Sequence, residues 1–557
     1  MGYDGSGNPN YSVMHLNFSS GQCKVEYYFD QVLSYGETSS SISNAEGNVI
    51  LSTNGQQIFG QYGVMIEDTI AYDGPLGYWD YYNGPAHPYG FPEMDGAIIL
   101  PVPEAIDEYE VIYHYGMSDF GLFKISQLLS ARIRFRSFND FDVLYKDRPV
   151  GPSLAWWRGH INAVRHANGR DWWVIAFQDD SKKYFAFLLD PQGIHLHHSA
   201  EVDVLIEGGL GDASFSKSGN YYARMDAVEF TVGQFISVFS FDRCAGDLTR
   251  IATIQTPSAE YFTGVAFSPS ERYLYGDDNS HLWQWDLEAA DIAGSQILID
   301  TFDGFVQPGW FGMRFAHLTE APDGRIYMIP PTGSSEFIHV IDRPNLAGKD
   351  CRLKQHHINL HRPNGRTAPN VANFRLGPLD GSLCDTLGIN NLPVAWWRYE
   401  EDQVGFWHNI RFTDLSYFNP TTWHWDFGDE TTSSEQHPVH EFEPGLYQVC
   451  LTVSNDFASD SMCEWVEILL TSTNELESES VSIFPNPFDN FIEIKNGDDN
   501  FDIVDFELVD MHGRTLLTKS SITIPSRLFL PDLPSGIYFI IIREQGKAAN
   551  TFKMIKT

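Results

Sequence analysis

The segment Phe215-Ser-Lys-Ser-Gly-Asn-Tyr221 has the same form as Phe267-Ser-Pro-Ser-Glu-Arg-Tyr273, and Ala321-Pro-Asp-Gly-Arg-Ile326 repeats its turn and exit. Ala167-Asn-Gly-Arg-Asp171 and Asn44-Ala-Glu-Gly-Asn-Val49 are looser copies. With Gly169, Gly219, Glu271 and Gly324 taken as equivalent, successive turns lie 50, 52 and 53 residues apart. An internal period of this length constrains the fold more than any other feature, because each unit must bury its apolar faces against its neighbours. After each turn comes a run of aromatic and branched residues, then a second run ending in Asp: Tyr184 to Asp190, Phe235 to Asp242, Leu282 to Asp286 and Phe337 to Asp342. Units of about 50 residues with several short strands and no helical periodicity are what a β-propeller needs. Stacked sandwiches would need units nearer 100 residues.

The gap from Gly47 to Gly169 holds two more units, with the intervening turn expected at Pro103 to Asp107. Five or six units follow, and a seventh could close near Asp380-Gly381. The expected fold class is all-β: an N-terminal β-propeller of six or seven blades followed by two small Ig-like β-sandwiches. The periodic turns stop by Asn390, and Thr471 to Ser480 is polar and acidic without apolar periodicity, as a linker is. The expected domains are therefore 10–390, 392–470 and 481–557, with residues 471–480 between the last two.

Lys plus Arg number 36 against 74 Asp plus Glu, a formal charge of −38. Such a surface repels a backbone polyanion, so nucleic acid is excluded as a partner. No run of 18 apolar residues offers a transmembrane helix. The N-terminal Met1-Gly2-Tyr3-Asp4-Gly5 lacks the basic and apolar regions of a leader, so an exported protein is expected to have lost its leader from this sequence.

In the middle region, Trp423-His-Trp-Asp-Phe-Gly-Asp-Glu430, His437-Pro-Val-His440 and Pro444-Gly-Leu-Tyr-Gln-Val-Cys-Leu-Thr-Val-Ser-Asn455 stand in order. Trp425 and Phe427 alternate onto one face, and Tyr447, Val449, Leu451 and Val453 form a period-two core strand. This pattern closely resembles the polycystic-kidney-disease (PKD) domain, an Ig-like sandwich that commonly serves as a spacer or weak binding module in extracellular proteins. Glu430 departs from it, standing where the family usually has Gly.

The C-terminal region reads Val481-Ser-Ile-Phe-Pro-Asn-Pro-Phe488, Phe491-Ile-Glu-Ile494, Met511-His-Gly-Arg514, Leu533-Pro-Ser-Gly-Ile-Tyr-Phe539 and Phe552-Lys-Met-Ile-Lys556. It resembles the type A C-terminal sorting domain of the type IX secretion system of Bacteroidota. Pro485, Asn486, Pro487, Gly513, Gly536, Tyr538 and Lys553 carry the match. The resemblance implies passage through the periplasm to the outer surface, with the type IX machinery as a partner.

Six cysteines are too few for a disulfide scaffold, but an oxidising compartment permits bridges. Cys450 and Cys463 flank a hairpin turn centred on Asp456 and Phe457, so they face each other and form the first expected pair. Cys351 and Cys384 flank the last propeller segment and form the second. Cys23 and Cys244 are left over.

No catalytic motif stands out. Gly116-Met-Ser-Asp-Phe-Gly121 is one residue too long for a nucleophile elbow, and in His440-Glu441 the second zinc-protease His is replaced by Pro444. His195 and His197 would share a strand face able to take Zn²⁺ or Cu²⁺, but a polar surface strand is the expectation. Asp179-Asp180, Asp277-Asp278 and Asp498-Asp499 lack the pattern of a calcium loop and read as solvated surface. No cofactor or metal is assigned; calcium is left open without support. Trp79, Trp157 and Trp310 sit among Gly, Pro and Asp, where exposed indoles would stack on sugar rings, and are the candidate ligand-binding residues. The expected function is a non-catalytic exported or cell-surface binding or adhesion protein, with a glycan or protein as ligand. The alternative is a surface hydrolase of polysaccharide or peptide with its active site at the propeller mouth.

Overall fold

The computed structural model describes residues 13–18, 23–28, 38–44, 47–67, 70, 95–119, 122–137, 140–154, 160–206, 211–227, 234–256, 263–307, 312–331, 335–364, 368–401, 409–443, 445–468, 481–484, 488, 490–496, 502–510, 514–524, 526–530, 533–534, 536–544 and 550–556. Up to residue 364 they form six four-stranded antiparallel sheets, each built from four consecutive strands in spatial order, together with one two-stranded ribbon, Val13–Asn17 with Lys24–Tyr28. The first strands of these six blades are Ser40–Ser43, Ala97–Pro101, Asn162–Arg165, Ala213–Phe215, Val265–Phe267 and Leu318–Glu320. Their last strands are Met65–Glu67, Asp140–Pro149, Gly193–Ile206, Asp247–Gln255, Ile297–Thr301 and Leu353–Asn364. The N-terminal ribbon packs Leu16, Phe18, Cys23 and Val25 against Tyr327, Ile338 and Val340 of blade 6.

The repeat motif is the hairpin between the first and second strand of a blade. Gly169, Gly219, Glu271 and Gly324 fall on blades 3, 4, 5 and 6, and all four have left-handed φ, from +61° to +76°. Each donates its N–H to the carbonyl three residues back, on His166, Ser216, Ser268 and Ala321, at 2.8 to 3.0 Å. In blades 4 and 5 the side chains of Ser216 and Ser268 accept from the N–H of Tyr221 and Tyr273, which explains the Phe-Ser and Tyr ends of the motif. Blade 2 turns over residues 102–107, between Ala97–Pro101 and Glu108–Asp119. Glu271 is the one non-glycine of the four, and its carboxylate takes hydrogen bonds from the N–H and hydroxyl of Ser218 on the preceding blade.

After blade 6 the chain runs along the axis of the ring. Asn370 donates its N–H to Ser39 of blade 1 at 2.7 Å and its amide to Ala97 of blade 2 and Ile161 of blade 3, at 3.0 and 2.7 Å. Further on, Asn373 reaches the carbonyl of Lys217 in blade 4, Arg375 that of Pro322 in blade 6, and the N–H of Leu379 that of Ala167 in blade 3. Only a segment inside the ring can touch five of its blades within ten residues. Residues 370–379 therefore fill the channel, with Ala372 and Phe374 packed on the core around Trp172.

This path corrects one expected disulfide. Cys384 is bonded to Cys244, in the Asp242–Asp247 turn of blade 4, with Cα atoms 5.7 Å apart. Cys351 is not its partner: it is an unbridged thiol buried beside Tyr275 and Leu353. The chain leaving blade 6 runs on to blade 4, which carries Cys384 away from Cys351. Cys23 is also unbridged. Cys450 and Cys463 are joined, with Cα atoms 4.1 Å apart.

Among the described residues two compact units are distinguished: 1–401, 410–440 and 448–465 form one, and 402–409, 441–447 and 466–557 the other. In the first, Thr422–Asp426 pairs antiparallel with the strand ending at Ser454, setting Trp425 opposite Leu451. Trp397 packs edge to face on Phe412 and Trp425, and Phe412 packs tilted against Trp425 and Phe427. Trp425, Phe427, Val449, Leu451 and Val453 are all buried. Glu430 takes φ +72°, the conformation that explains why glycine is usual at this point of the turn. In the second unit, Val481–Phe484, Phe491–Asn496 and Ser526–Phe529 form one sheet. Thr515–Ile524, Asp502–Asp510, Gly536–Glu544 and Asn550–Lys556 form the other. Phe488, Ile492, Phe506, Ile540 and Met554 are buried in its core.

The packing of the axial segment has a direct test. Gly47 and Gly219 both have left-handed φ, so Ala at either carries a backbone penalty of about 1–2 kcal/mol. At Gly47 a new methyl meets nothing within 4 Å, whereas at Gly219 it meets Val164 Cγ2 at 2.5 Å and Leu376 Cδ2 at 3.0 Å. Gly219→Ala is expected to lower the thermal midpoint clearly more than Gly47→Ala in parallel scanning calorimetry. Equal shifts would show that the segment around Leu376 does not press on the blade 4 turn.

Candidate functional site

The residues just ahead of the inner strands converge on the axis at the end opposite the hairpin turns. Asp95 precedes the inner strand of blade 2, Asp212 that of blade 4 and His317 that of blade 6. His317 Nδ1 lies 3.1 Å from Asp212 Oδ1, a contact that skips blade 5 and joins residues two repeats apart. The Asp95 carboxylate accepts from the N–H of Ala213 in blade 4 and from the Asn162 amide in blade 3. Asn162 in turn accepts from the Tyr222 hydroxyl at 3.2 Å. Asp277, from the second strand of blade 5, accepts from the N–H groups of Gly264 and Asn279 at 2.7 and 2.8 Å.

The electrostatics follow from this crowding. Burial penalises the charged form of Asp95, and the neighbouring Asp212 raises its pKa further, while His317 and two hydrogen bonds oppose the shift; the net direction is upward. Asp277 is pushed up to about 7, chiefly by burial. Burial would lower the His317 pKa, but Asp212, Asp277 and Asp95 outweigh it, so the net shift is upward. Beside this cluster, Arg224 is fully buried, paired to Asp226 at 2.6 Å and stacked 4.4 Å over Phe177. His160 is buried with neither ring nitrogen hydrogen-bonded, and burial followed by Arg224 drives its pKa well below the usual value.

None of these axial residues belongs to a recognisable motif. The signal that finds them is positional, the residues that precede equivalent strands of the repeat. Asp277 and Asp278 also correct the expectation of solvated acids: both are fully buried, and Asp278 accepts from the N–H groups of Ser280 and His281. Trp79, Trp157 and Trp310 lie outside the described residues. So do Pro485, Asn486, Pro487 and Gly513. Gly536 opens the strand Gly536–Glu544, Tyr538 is buried with its hydroxyl on Pro534 O at 2.8 Å, and Lys553 lies opposite Phe539. Among the described residues no group of three or more His, Cys, Asp and Glu is arranged for a metal ion.

In blade 3, the register of Ser181–Asp190 against Gly193–Ile206 sets Ala186 opposite His198 but Phe187 opposite Leu196, so His197 is an unpaired bulge residue. A bulge turns neighbouring side chains to one face. His197 and His198 accordingly both contact the Trp173 ring, at 5.0 and 6.2 Å between centroids.

The raised Asp277 pKa has a thermodynamic consequence. An unfolded Asp ionises near pH 3.8 while Asp277 stays protonated to about pH 7, so its stabilising effect is complete below pH 3.8 and lost as pH rises through 7. The lost stability amounts to a few kcal/mol, at about 1.4 kcal/mol per pH unit. Asp277→Asn, which cannot ionise, is expected to show a shallower fall in unfolding free energy between pH 4 and 7 than the wild type, measured by denaturant titration at each pH. Parallel curves would refute the assignment.

Among known protein families, residues 400–468 match the PKD domain and residues 482–557 the secretion system C-terminal sorting domain. No curated protein matches. Among solved structures the chain is similar to the PKD1 domain of the Vibrio cholerae metalloprotease PrtV, at 27% identity over 14% of this chain and 96% of that one, with TM-score 0.13. It is also similar to a putative 6-phosphogluconolactonase from Bacteroides uniformis, at 14% identity over 66% and 95% of the two chains, TM-score 0.38. A third likeness is to the periplasmic gluconolactonase PpgL of Pseudomonas aeruginosa, at 13% identity over 73% and 96%, TM-score 0.31. No helix among the described residues is long and apolar enough to cross a membrane. The chain is an exported β-propeller protein that carries a PKD domain and a type IX C-terminal sorting domain.

Proposed function

We propose that the protein is a non-catalytic binding or adhesion component of the outer surface, with the propeller as its binding platform. The observation that supports this reading is the internal pairing of the axial cluster. His317 Nδ1 is engaged by Asp212 at 3.1 Å and its pKa is shifted upward by its acidic neighbours against burial, which disfavours it as a neutral base for hydrolysis. From the other end, residues 370–379 occupy the channel. Binding is then left to the face of the ring, and in sequence Trp79, Trp157 and Trp310 belong to segments that join one blade to the next. Glycan stacking on these indoles is the ligand chemistry we assign to them. The PKD domain acts as a spacer beside this platform.

The test pairs binding with turnover. Purified protein should be retained on immobilised polysaccharide, with retention reduced about tenfold or more when Trp79, Trp157 and Trp310 are replaced together by Ala, at the scale set by aromatic hot spots. No lactone, glycan or peptide should be turned over. Turnover abolished by His317→Gln would replace the binding reading with the enzyme reading.

Sorting is tested independently. A leader-bearing precursor lacking residues 482–557 is expected to accumulate in the periplasm of a host with type IX secretion, with its remaining domains folded by limited proteolysis. Surface delivery of that truncation would refute the sorting role.

A further inference from the structure

We propose that the His197–His198 pair on the outer strand of blade 3 is a binding site for a tetragonal divalent cation, Cu²⁺ foremost. The two Nδ1 atoms lie 2.9 Å apart. Two imidazole nitrogens bound to one metal at about 2.0–2.1 Å and 90° to each other are about 2.9 Å apart, whereas a tetrahedral angle needs about 3.3 Å. The spacing therefore matches neighbouring corners of a tetragonal site, the geometry of Cu²⁺ or Ni²⁺, and Cu²⁺ is the tighter binder of the two.

Two features prepare the pair for this role. The bulge at His197 brings consecutive side chains to one face, which a regular strand forbids. Asp247 of blade 4 sets its Oδ1 3.1 Å from His198 Nε2, off the line of an ideal hydrogen bond but close enough to favour the proton on that nitrogen. His198 Nδ1 is then left with its lone pair, as in a carboxylate–histidine–metal arrangement. Asp247 is itself held by the Tyr184 hydroxyl at 3.3 Å.

Without metal, the two Nδ1 atoms share one proton. On binding, the cation takes that proton's place and His197 carries its own proton on Nε2, so the charge of the side chains is unchanged. The indole of Trp173, fixed by its N–H to Arg243 O at 2.8 Å, walls one side. His197 itself is exposed, leaving the remaining coordination positions to water.

The experiment titrates the full chain with Cu²⁺ alone, in a buffer with a weak competing chelator, by calorimetry and by electron paramagnetic resonance. One site is expected, with nitrogen hyperfine structure from two imidazoles and binding at least tenfold tighter than that of Zn²⁺. His197→Ala and His198→Ala should each weaken it about tenfold or more, while His424→Ala, at an exposed position of the PKD domain, should not. Circular dichroism of each variant checks folding, and His197→Gln gives a second, side-chain-retaining replacement at the bulge. Equal Cu²⁺ affinity in wild type and the double His variant, or a spectrum with no second imidazole, would overturn the proposal.

Discussion

The ring depends on the hydrogen bond that closes the innermost hairpin of each blade. Around the axis, strands from all blades crowd together, so each innermost strand must be short and must return outward at once. The return is made by a residue with left-handed φ whose own N–H donates to the carbonyl three residues back. Glycine meets that requirement without strain at positions 169, 219 and 324. At position 271 a glutamate meets it instead, and the hydrogen bonds its carboxylate takes from Ser218 offset the strain by tying two blades together.

Crowding at the axis also governs the charges. Carboxylates from blades 2, 4 and 5 meet one histidine from blade 6, in surroundings where unpaired charge is costly. The pKa values of Asp95, Asp277 and His317 are all shifted upward, the direction that relieves this repulsion. The same contacts draw non-adjacent blades together, since the Asp212–His317 pair joins blade 4 to blade 6 and skips blade 5. Asn370 does the equivalent with neutral groups, placing one amide on the carbonyls of blades 2 and 3.

Local chemistry was legible in the sequence where it repeats or follows a compact pattern. The turn motif fixed the blade spacing, because a left-handed residue after a polar turn leaves its mark at every copy. Trp425 and Phe427 were readable because strand alternation alone sends them to one face. Contacts made by the returning chain were not readable. Nothing near Cys384 indicates that residues 370–379 enter the ring and cross toward Cys244, and a pairing argued from nearness along the chain chose Cys351 instead. His195 and His197 could be assigned a common face, but the bulge that adds His198 is a register shift, visible only once Ala186 and Phe187 have partners. Asp95, Asp212 and His317 lie outside the turn motif, so they gain meaning only when the repeats are superposed.

Where the PKD strand Trp397–Glu401 meets blade 6, the contact is ionic and largely buried. Arg325 places its three nitrogens on Asp323, Asp342 and Glu400 at 3.0, 2.7 and 3.0 Å, and Arg398 reaches Glu400 at 3.0 Å and the carbonyl of Asp323 at 2.8 Å. Taking these groups out of water costs several kcal/mol per ion, about as much as their attraction returns, so the network is a poor source of net stability. What it supplies is direction. A guanidinium satisfies three carboxylates only in one plane and one rotation, whereas an apolar contact of the same area would tolerate sliding. Arg375 adds to this by lying 4.9 Å over Trp396 and 5.0 Å over Tyr417, with its own chain segment anchored in the channel. The strand Trp397–Glu401 is thus tied to blade 6 by Arg325 and Arg398, and its neighbour Trp396 to the axial segment by Arg375.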